Sequence, residues 1–274
     1  MILFILHLLV SGFMTYLGYI LINPSYHILI NILIGLGLFI LSFIIVLVLF
    51  FLFFITAFAI AGNRNPKGMF KHHLLTFYSR YVYKVFYRVK VDVIGREYLP
   101  KNNNFVIFSN HIEYSDPIYI KQVFNRFPVA FISKESLFKI KLVRMVLAGI
   151  GCIPISRIAD RSALNSIVEG IKAIKNGQPL GIFPEGKRTY SHDTIEFKPG
   201  SFKLATKTKA DIIPVCLYNM HEIYRKGRKG IAHVKIVVFP PISEEQYRDL
   251  DTADIAIKVK TQIDQCLLDL AKIK

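Results

Sequence analysis

The sequence predicts an α/β fold, a mixed sheet flanked by helices, preceded by an N-terminal two-helix membrane element. Three observations carry that expectation. Residues 1–62 contain no Asp, Glu, Lys or Arg, so all 35 basic and 19 acidic residues fall in the 212 that follow. Two apolar runs in that uncharged head are each long enough to cross a bilayer. Beyond them, short β-rich runs alternate with helical patterns.

The head comes first. Residues 2–22 are almost entirely apolar, Asn23, Pro24 and Ser25 interrupt, and a second run covers residues 28–61. Crossing about 30 Å of hydrocarbon takes roughly 20 helical residues. A cleaved signal peptide is the competing reading, but it carries a positively charged start and a much shorter apolar stretch. Residues 1–62 are therefore expected to form a membrane-embedded helical hairpin. Arg64, Lys67, Lys71, Arg80, Lys84, Arg88 and Lys90 all precede the first acid, Asp92. By the positive-inside rule this places the globular part on the cytoplasmic face of the cell membrane, whether the hairpin spans or enters one leaflet.

Residues 63–88 are expected to form a basic amphipathic helix. Phe70, Leu74, Phe77, Tyr81 and Val85 recur at helical spacing, with Arg80, Lys84 and Arg88 on another face. A helix of this kind lies in the headgroup layer. The same pattern also suits a core helix with a solvated basic face. Its place directly after the apolar head favours the interface.

Residues 89–274 carry about 25% charged residues, the content of an ordinary globular domain, and are enough to bury one core without disulfides. Strands are expected over residues 89–94, 105–108, 129–132, 153–155, 180–183, 212–217 and 233–239. Helices are expected near 117–125, 136–148, 161–176, 201–209 and 253–272, with Asp160 as an N-cap and Gly177 as a stop for the third of these. The three cysteines, Cys152, Cys216 and Cys266, are too far apart for a CxxC pair or a zinc pattern and fit a reducing compartment. His72 and His73 lack carboxylates or cysteines at ligand spacing, so no metal site is expected.

Ligands of open α/β sheets gather where strands end and loops begin, and the polar clusters of this chain fall there. The first is Asn110, His111, Ile112, Glu113, Tyr114, Ser115 and Asp116, directly after the second strand. A histidine accepts a proton near neutral pH, and a carboxylate on its other ring nitrogen fixes the tautomer and stabilises the imidazolium. Residues five apart do not face each other on a straight helix, so the segment must bend, and Asp116 followed by Pro117 supplies the bend. From these residues alone, Asp116 serves equally well as a helix cap and His111 as a loop histidine.

The second cluster, Phe183, Pro184, Glu185, Gly186, Lys187, Arg188 and Thr189, again ends a strand. Gly186 admits close backbone approach, and Lys187 and Arg188 offer donors to a phosphate. An ordinary polar turn has the same composition. Lys134, Arg157 and the Ile213, Pro214 step sit at comparable places, and each has a bland reading too: solvated lysine, surface arginine, strand bulge.

In order and spacing these pieces resemble the glycerolipid acyltransferase family, over roughly residues 89–242. The resemblance rests on Asn110, His111 and Asp116, on Arg157 after a Gly-rich approach, on Phe183 to Arg188, and on Ile213 with Pro214. Residues 198–205 also look like that family. Lys187, Arg188 and Thr189 stand where Thr-Arg-Ser is commoner, keeping the arginine and a hydroxyl. The resemblance implies acyl transfer from acyl carrier protein or coenzyme A thioester to the 2-hydroxyl of lysophosphatidic acid. His111 would be general base and Asp116 its partner. Asn110, Lys134, Arg157, Glu185, Gly186 and Arg188 would bind substrate, with no cofactor beyond the thioester co-substrate. A net charge of +16 also admits nucleic acid, through release of counterions from phosphates. Anionic headgroups explain it equally well, and with a membrane hairpin attached the expected partners are membrane phospholipids rather than nucleic acid.

Overall fold

The computed structural model describes residues 2–21, 27–62, 65–156 and 161–272. Residues 23–25, Arg64, Arg157 and the expected cap Asp160 lie outside them. The chain forms two compact units, residues 1–60 and 61–274.

The first unit holds α1 (Ile2–Leu21) and α2 (Ile28–Ala61), both long and apolar enough to cross a membrane. At 1.5 Å per residue, α2 is about 50 Å long, well beyond the hydrocarbon thickness. His7 on α1 bonds the Phe43 carbonyl on α2 at 3.0 Å and stacks on the Phe43 ring, which gives the one imidazole of α1 a partner among apolar side chains.

The second unit is built on a seven-stranded sheet of β1 (Val89–Ile94), β2 (Phe105–Ser109), β3 (Ala130–Lys134), β4 (Ile153–Ile155), β5 (Leu180–Ile182), β6 (Asp211–Tyr218) and β7 (Ala232–Val238). Their order across the sheet is β1-β7-β6-β2-β5-β3-β4, parallel throughout except for the β6–β7 pair. β2, β5 and β6 are nearly continuous apolar runs because helices cover both faces of the sheet centre, whereas β1 alternates between half-buried and exposed residues. Pro214 lies inside central β6, opposite Phe108 of β2. Its carbonyl accepts the Phe239 N–H just past the end of β7, while β6 and β7 pair regularly only from Val215 onward.

The connecting helices are α4 (Asp116–Val123), α5 (Lys141–Gly149), α6 (Arg161–Lys175), α7 (Lys203–Thr206), α8 (Glu244–Tyr247) and the amphipathic α9 (Thr252–Lys272). Two expected helices are interrupted. The pattern over 136–148 divides at Ile140 into a 3₁₀ turn and α5, and that over 201–209 becomes a 3₁₀ turn running into α7. Gly177 closes α6 as expected: at φ +79 it lets the Gly177 N–H bond Ile174 and the Gln178 N–H bond Ala173.

Helix α3 (Met69–Val85) packs against α4 and β1 through its polar side. Lys71, His72, Thr76 and Ser79 are buried there, while Phe70 is 61% and Phe77 48% exposed. The contact is made of hydrogen bonds and of a ring contact between Tyr83 and Tyr119 of α4, 5.0 Å between centroids, and Tyr81 of the expected apolar face is buried as well. Lys121 of α4 bonds both His72 Nδ1 and the Val129 carbonyl, His72 Nε2 reaches the Pro66 carbonyl at 2.7 Å, and Gln122 bonds Ser79. Burial pushes Lys121 down to about 7 and His72 to about 3, so a neutral imidazole donates through Nε2 and accepts through Nδ1.

Gly95 ends β1 at φ +79, and a Cβ there would lie 2.0 Å from the Val238 carbonyl oxygen of β7. Gly95→Ala is expected to cost about 1–3 kcal/mol in backbone strain alone, with the backbone clash added. Thermal unfolding should register the loss as a clear drop in Tm, and an unchanged Tm would contradict this account of the turn.

Candidate active site

β2 leaves the sheet after Ser109, and side chains take over the work of the ladder. Asn110 donates to the Leu217 carbonyl at 3.0 Å and accepts the Leu217 N–H at 2.8 Å, continuing the β2–β6 pairing by one position. The chain then turns sharply. Asp116, fully buried at the start of α4 with Pro117 behind it, accepts three hydrogen bonds on one oxygen: His111 Nδ1 at 2.8 Å, the Ile112 N–H at 2.7 Å and the Glu113 N–H at 2.8 Å. The bend therefore exists because Asp116 collects the donors that the turn exposes. Burial pushes the Asp116 carboxyl up, and His111 with the two N–H groups draws it back.

His111 stacks on Phe183 at 4.1 Å, and Phe131 stacks behind Phe183. Gly181 makes room for this layer, since a Cβ there would meet the Phe131 ring at 2.4 Å. With Nδ1 engaged by Asp116, Nε2 is the ring nitrogen that has no protein partner among the described residues, and His111 lines a groove of about 1170 Å³.

The second cluster is sewn onto the first. Glu185 accepts the His111 N–H at 2.8 Å on one oxygen and the Ile195 N–H at 3.2 Å on the other. The Thr189 N–H bonds the His111 carbonyl at 2.9 Å, and the Tyr190 N–H bonds the Ile112 carbonyl at 3.3 Å. Gly186, at φ +73, lies against Lys198, and Arg188 sits over the Tyr114 ring. The groove is bounded by Lys134, Arg188 and Lys198 and has an apolar wall that includes Ile132, Ile155, Leu164, Val168 and Ile171.

The expected residues Asn110, His111, Asp116, Lys134, Glu185, Gly186 and Arg188 thus come together, and Arg157 falls outside the described residues. The side chains of Asn110 and Glu185 spend their hydrogen-bonding capacity on backbone. Phe183 as a stacking partner, the apolar stripe of α6 and the two tyrosines beside Arg188 are additions. The stripe had a signal, since Leu164, Ile167, Val168 and Ile171 recur at helical spacing.

Burial pushes Glu185 up to about 7 from an ordinary 4.5. An acid whose folded pKa is raised contributes stability below its unfolded pKa and loses it as pH rises through the folded value. Wild-type protein should therefore lose on the order of 3 kcal/mol relative to Glu185→Gln between pH 4.5 and 7, with no further change above. Urea unfolding of both proteins across that window checks it, and parallel curves would show that Glu185 ionises normally.

A histidine with one nitrogen anchored on a buried carboxylate and the other free, beside an apolar wall and a cluster of cations, is equipped to move a proton next to an amphiphilic anion. Comparison with known proteins gives the family. Residues 90–218 match the family described as Acyltransferase. The 1-acyl-sn-glycerol-3-phosphate acyltransferase of Borreliella burgdorferi is 36% identical over 178 residues, covering 64% of this chain and 70% of that protein. The enzyme of the same name from Bacillus subtilis is 25% identical over 183 residues, covering 66% and 87%. The fold matches the crystal structure of the 1-acyl-sn-glycerophosphate acyltransferase PlsC from Thermotoga maritima, with a TM-score of 0.62, 24% identity, and coverage of 73% of this chain and 79% of that one. The chain belongs to the O-acyltransferase family of these 1-acyl-sn-glycerol-3-phosphate acyltransferases.

Proposed function

We propose that the protein transfers an acyl group from acyl carrier protein or coenzyme A thioester to the 2-hydroxyl of 1-acyl-glycerol-3-phosphate, forming phosphatidic acid. The observation that carries this reading is the His111–Asp116 pair, with His111 lining a groove that joins an apolar wall to Lys134, Arg188 and Lys198. Nε2 of His111 takes the proton of the acceptor hydroxyl as its oxygen attacks the thioester carbonyl. Asp116 stabilises the imidazolium. The tetrahedral intermediate then collapses, the C–S bond breaks, and the thiolate leaves with the proton held by His111. No protein nucleophile is required, because the thioester is already activated. The apolar wall suits an acyl chain, and the cations suit the phosphate of the acceptor.

Both acceptor and product are amphiphiles, which gives the N-terminal helices a role. In this reading α1 and α2 embed in the membrane with the catalytic unit on the cytoplasmic face. The outward side of α3, with Phe70 and Phe77 beside Arg80 and Lys84, lies in the headgroup layer. Substrate then reaches the groove without full extraction into water.

The test is incubation of purified protein with lysophosphatidic acid and either acyl carrier protein or coenzyme A thioesters, followed by lipid analysis. Phosphatidic acid is the expected product with at least one donor. Free fatty acid alone would indicate hydrolysis, and no turnover with either donor would overturn the assignment.

A further inference from the structure

An arginine in a polar loop usually pairs with a neighbouring carboxylate. Arg188 does not: Glu113 is near enough to feel its charge, yet no ion pair forms to Arg188 among the described residues. Its guanidinium lies instead against aromatic rings, 3.2 Å from the centre of Tyr114 and 5.2 Å from that of Tyr190. One guanidinium nitrogen, Nη1, is buried without a hydrogen-bond partner.

Neither tyrosine is needed for the core, since Tyr114 is 66% and Tyr190 49% exposed. Tyr190 also holds φ +57, a left-handed conformation uncommon outside glycine. The strain is maintained by the seam between the two motif loops, in which the Thr189 and Tyr190 N–H groups bond the carbonyls of His111 and Ile112. Arg188 and the catalytic histidine are therefore indexed to the same three-residue stretch. A guanidinium stacked on aromatic faces keeps its in-plane N–H groups for an anion, and its orientation is set before the anion arrives.

We infer that Tyr114 and Tyr190 are positioning residues that hold Arg188 edge-on to the phosphate monoester of the acceptor, and that this stack sets the preference for a phosphate-bearing acceptor over a neutral one. The inference rests on the function proposed above and extends it to two residues that the motif pattern assigns no role, Tyr114 inside the first motif stretch and Tyr190 just past the second. Tyr114, the closer ring, carries the larger share. The incoming phosphate is met by the N–H groups of Arg188 that face the groove.

The test compares wild type with Tyr114→Leu, Tyr190→Leu and Tyr114→Phe in detergent micelles. It measures equilibrium binding of lysophosphatidic acid and of monoacylglycerol, its phosphate-free counterpart, and then steady-state KM and kcat. Tyr114→Leu should weaken lysophosphatidic acid binding and raise its KM by about 3- to 30-fold. Monoacylglycerol binding should not change, and kcat should fall less than twofold. Tyr190→Leu should do the same more weakly, and Tyr114→Phe, which keeps the ring, should stay near wild type. Equal weakening for both lipids, a fall in kcat with binding unchanged, or full loss in Tyr114→Phe would each overturn the inference. Failure of the proposed reaction itself would appear separately, as wild-type protein that binds lysophosphatidic acid but forms no phosphatidic acid.

Discussion

Replacing His111 by alanine is expected to lower kcat for phosphatidic acid formation by about 10²- to 10⁴-fold, the range that a positioned general base contributes. The ring lies between Phe183 on one face and Asp116 at Nδ1, so Nε2 is held in one orientation toward the groove and no second imidazole is in position to replace it among the described residues. Binding of lysophosphatidic acid should survive, because the proposed phosphate contacts come from other side chains. The backbone of residue 111 keeps its bonds to Glu185 and Thr189, so the two motif loops stay joined in the variant. Steady-state rates normalised to folded protein, with lipid binding measured in parallel, separate lost chemistry from lost structure. Near-normal turnover by His111→Ala would remove the base assignment.

Much of this arrangement is legible in the amino-acid order, for identifiable reasons. Central strands such as β2 and β6 read clearly because they are short, continuous apolar runs bounded by turn residues, and their ends fall within about two residues of expectation. Pro117 marks where the chain between His111 and Asp116 can bend, but a helix cap and a loop histidine fit the same residues, so their contact is legible only with the family resemblance. Strand order is a different matter: β2 sits between β5 and β6, both distant in sequence, and no local pattern encodes that choice. The role of Glu185 hangs on the same non-local fact, since its partner N–H lies 74 residues away and only the β2–β5 pairing brings the loops together. The break at Ile140 leaves the apolar periodicity of the segment intact, so periodicity does not reveal it. Helix α3 shows a further limit. Hydrophobic spacing identifies its apolar face, but which side meets the body depends on Lys121 and His72 finding each other across two helices.

Asp116→Asn isolates what the charge of the carboxylate does, because the local geometry favours retention of the fold. All three donors converge on Oδ2, while Oδ1 is buried with no partner. An asparagine that places its oxygen where Oδ2 stands can still accept from His111 Nδ1 and from the N–H groups of Ile112 and Glu113, so the bend and the imidazole tautomer persist. Its amide nitrogen then occupies the Oδ1 position as a donor without an acceptor, at a cost of about 1–3 kcal/mol in stability. What disappears is the negative charge facing the imidazolium as the acceptor hydroxyl gives up its proton. Breaking a buried ion pair typically costs about 3–5 kcal/mol, so kcat should drop by about 10²- to 10⁴-fold with lysophosphatidic acid binding unchanged. Asp116→Ala should lose comparable activity but unfold at a distinctly lower temperature, since it also strands the Ile112 and Glu113 N–H groups of the turn that precedes α4. Asparagine and alanine variants with the same Tm would mean that the three hydrogen bonds do not hold the turn. An asparagine variant with wild-type kcat would reduce Asp116 to a helix-start residue and leave His111 to act without a counter-charge.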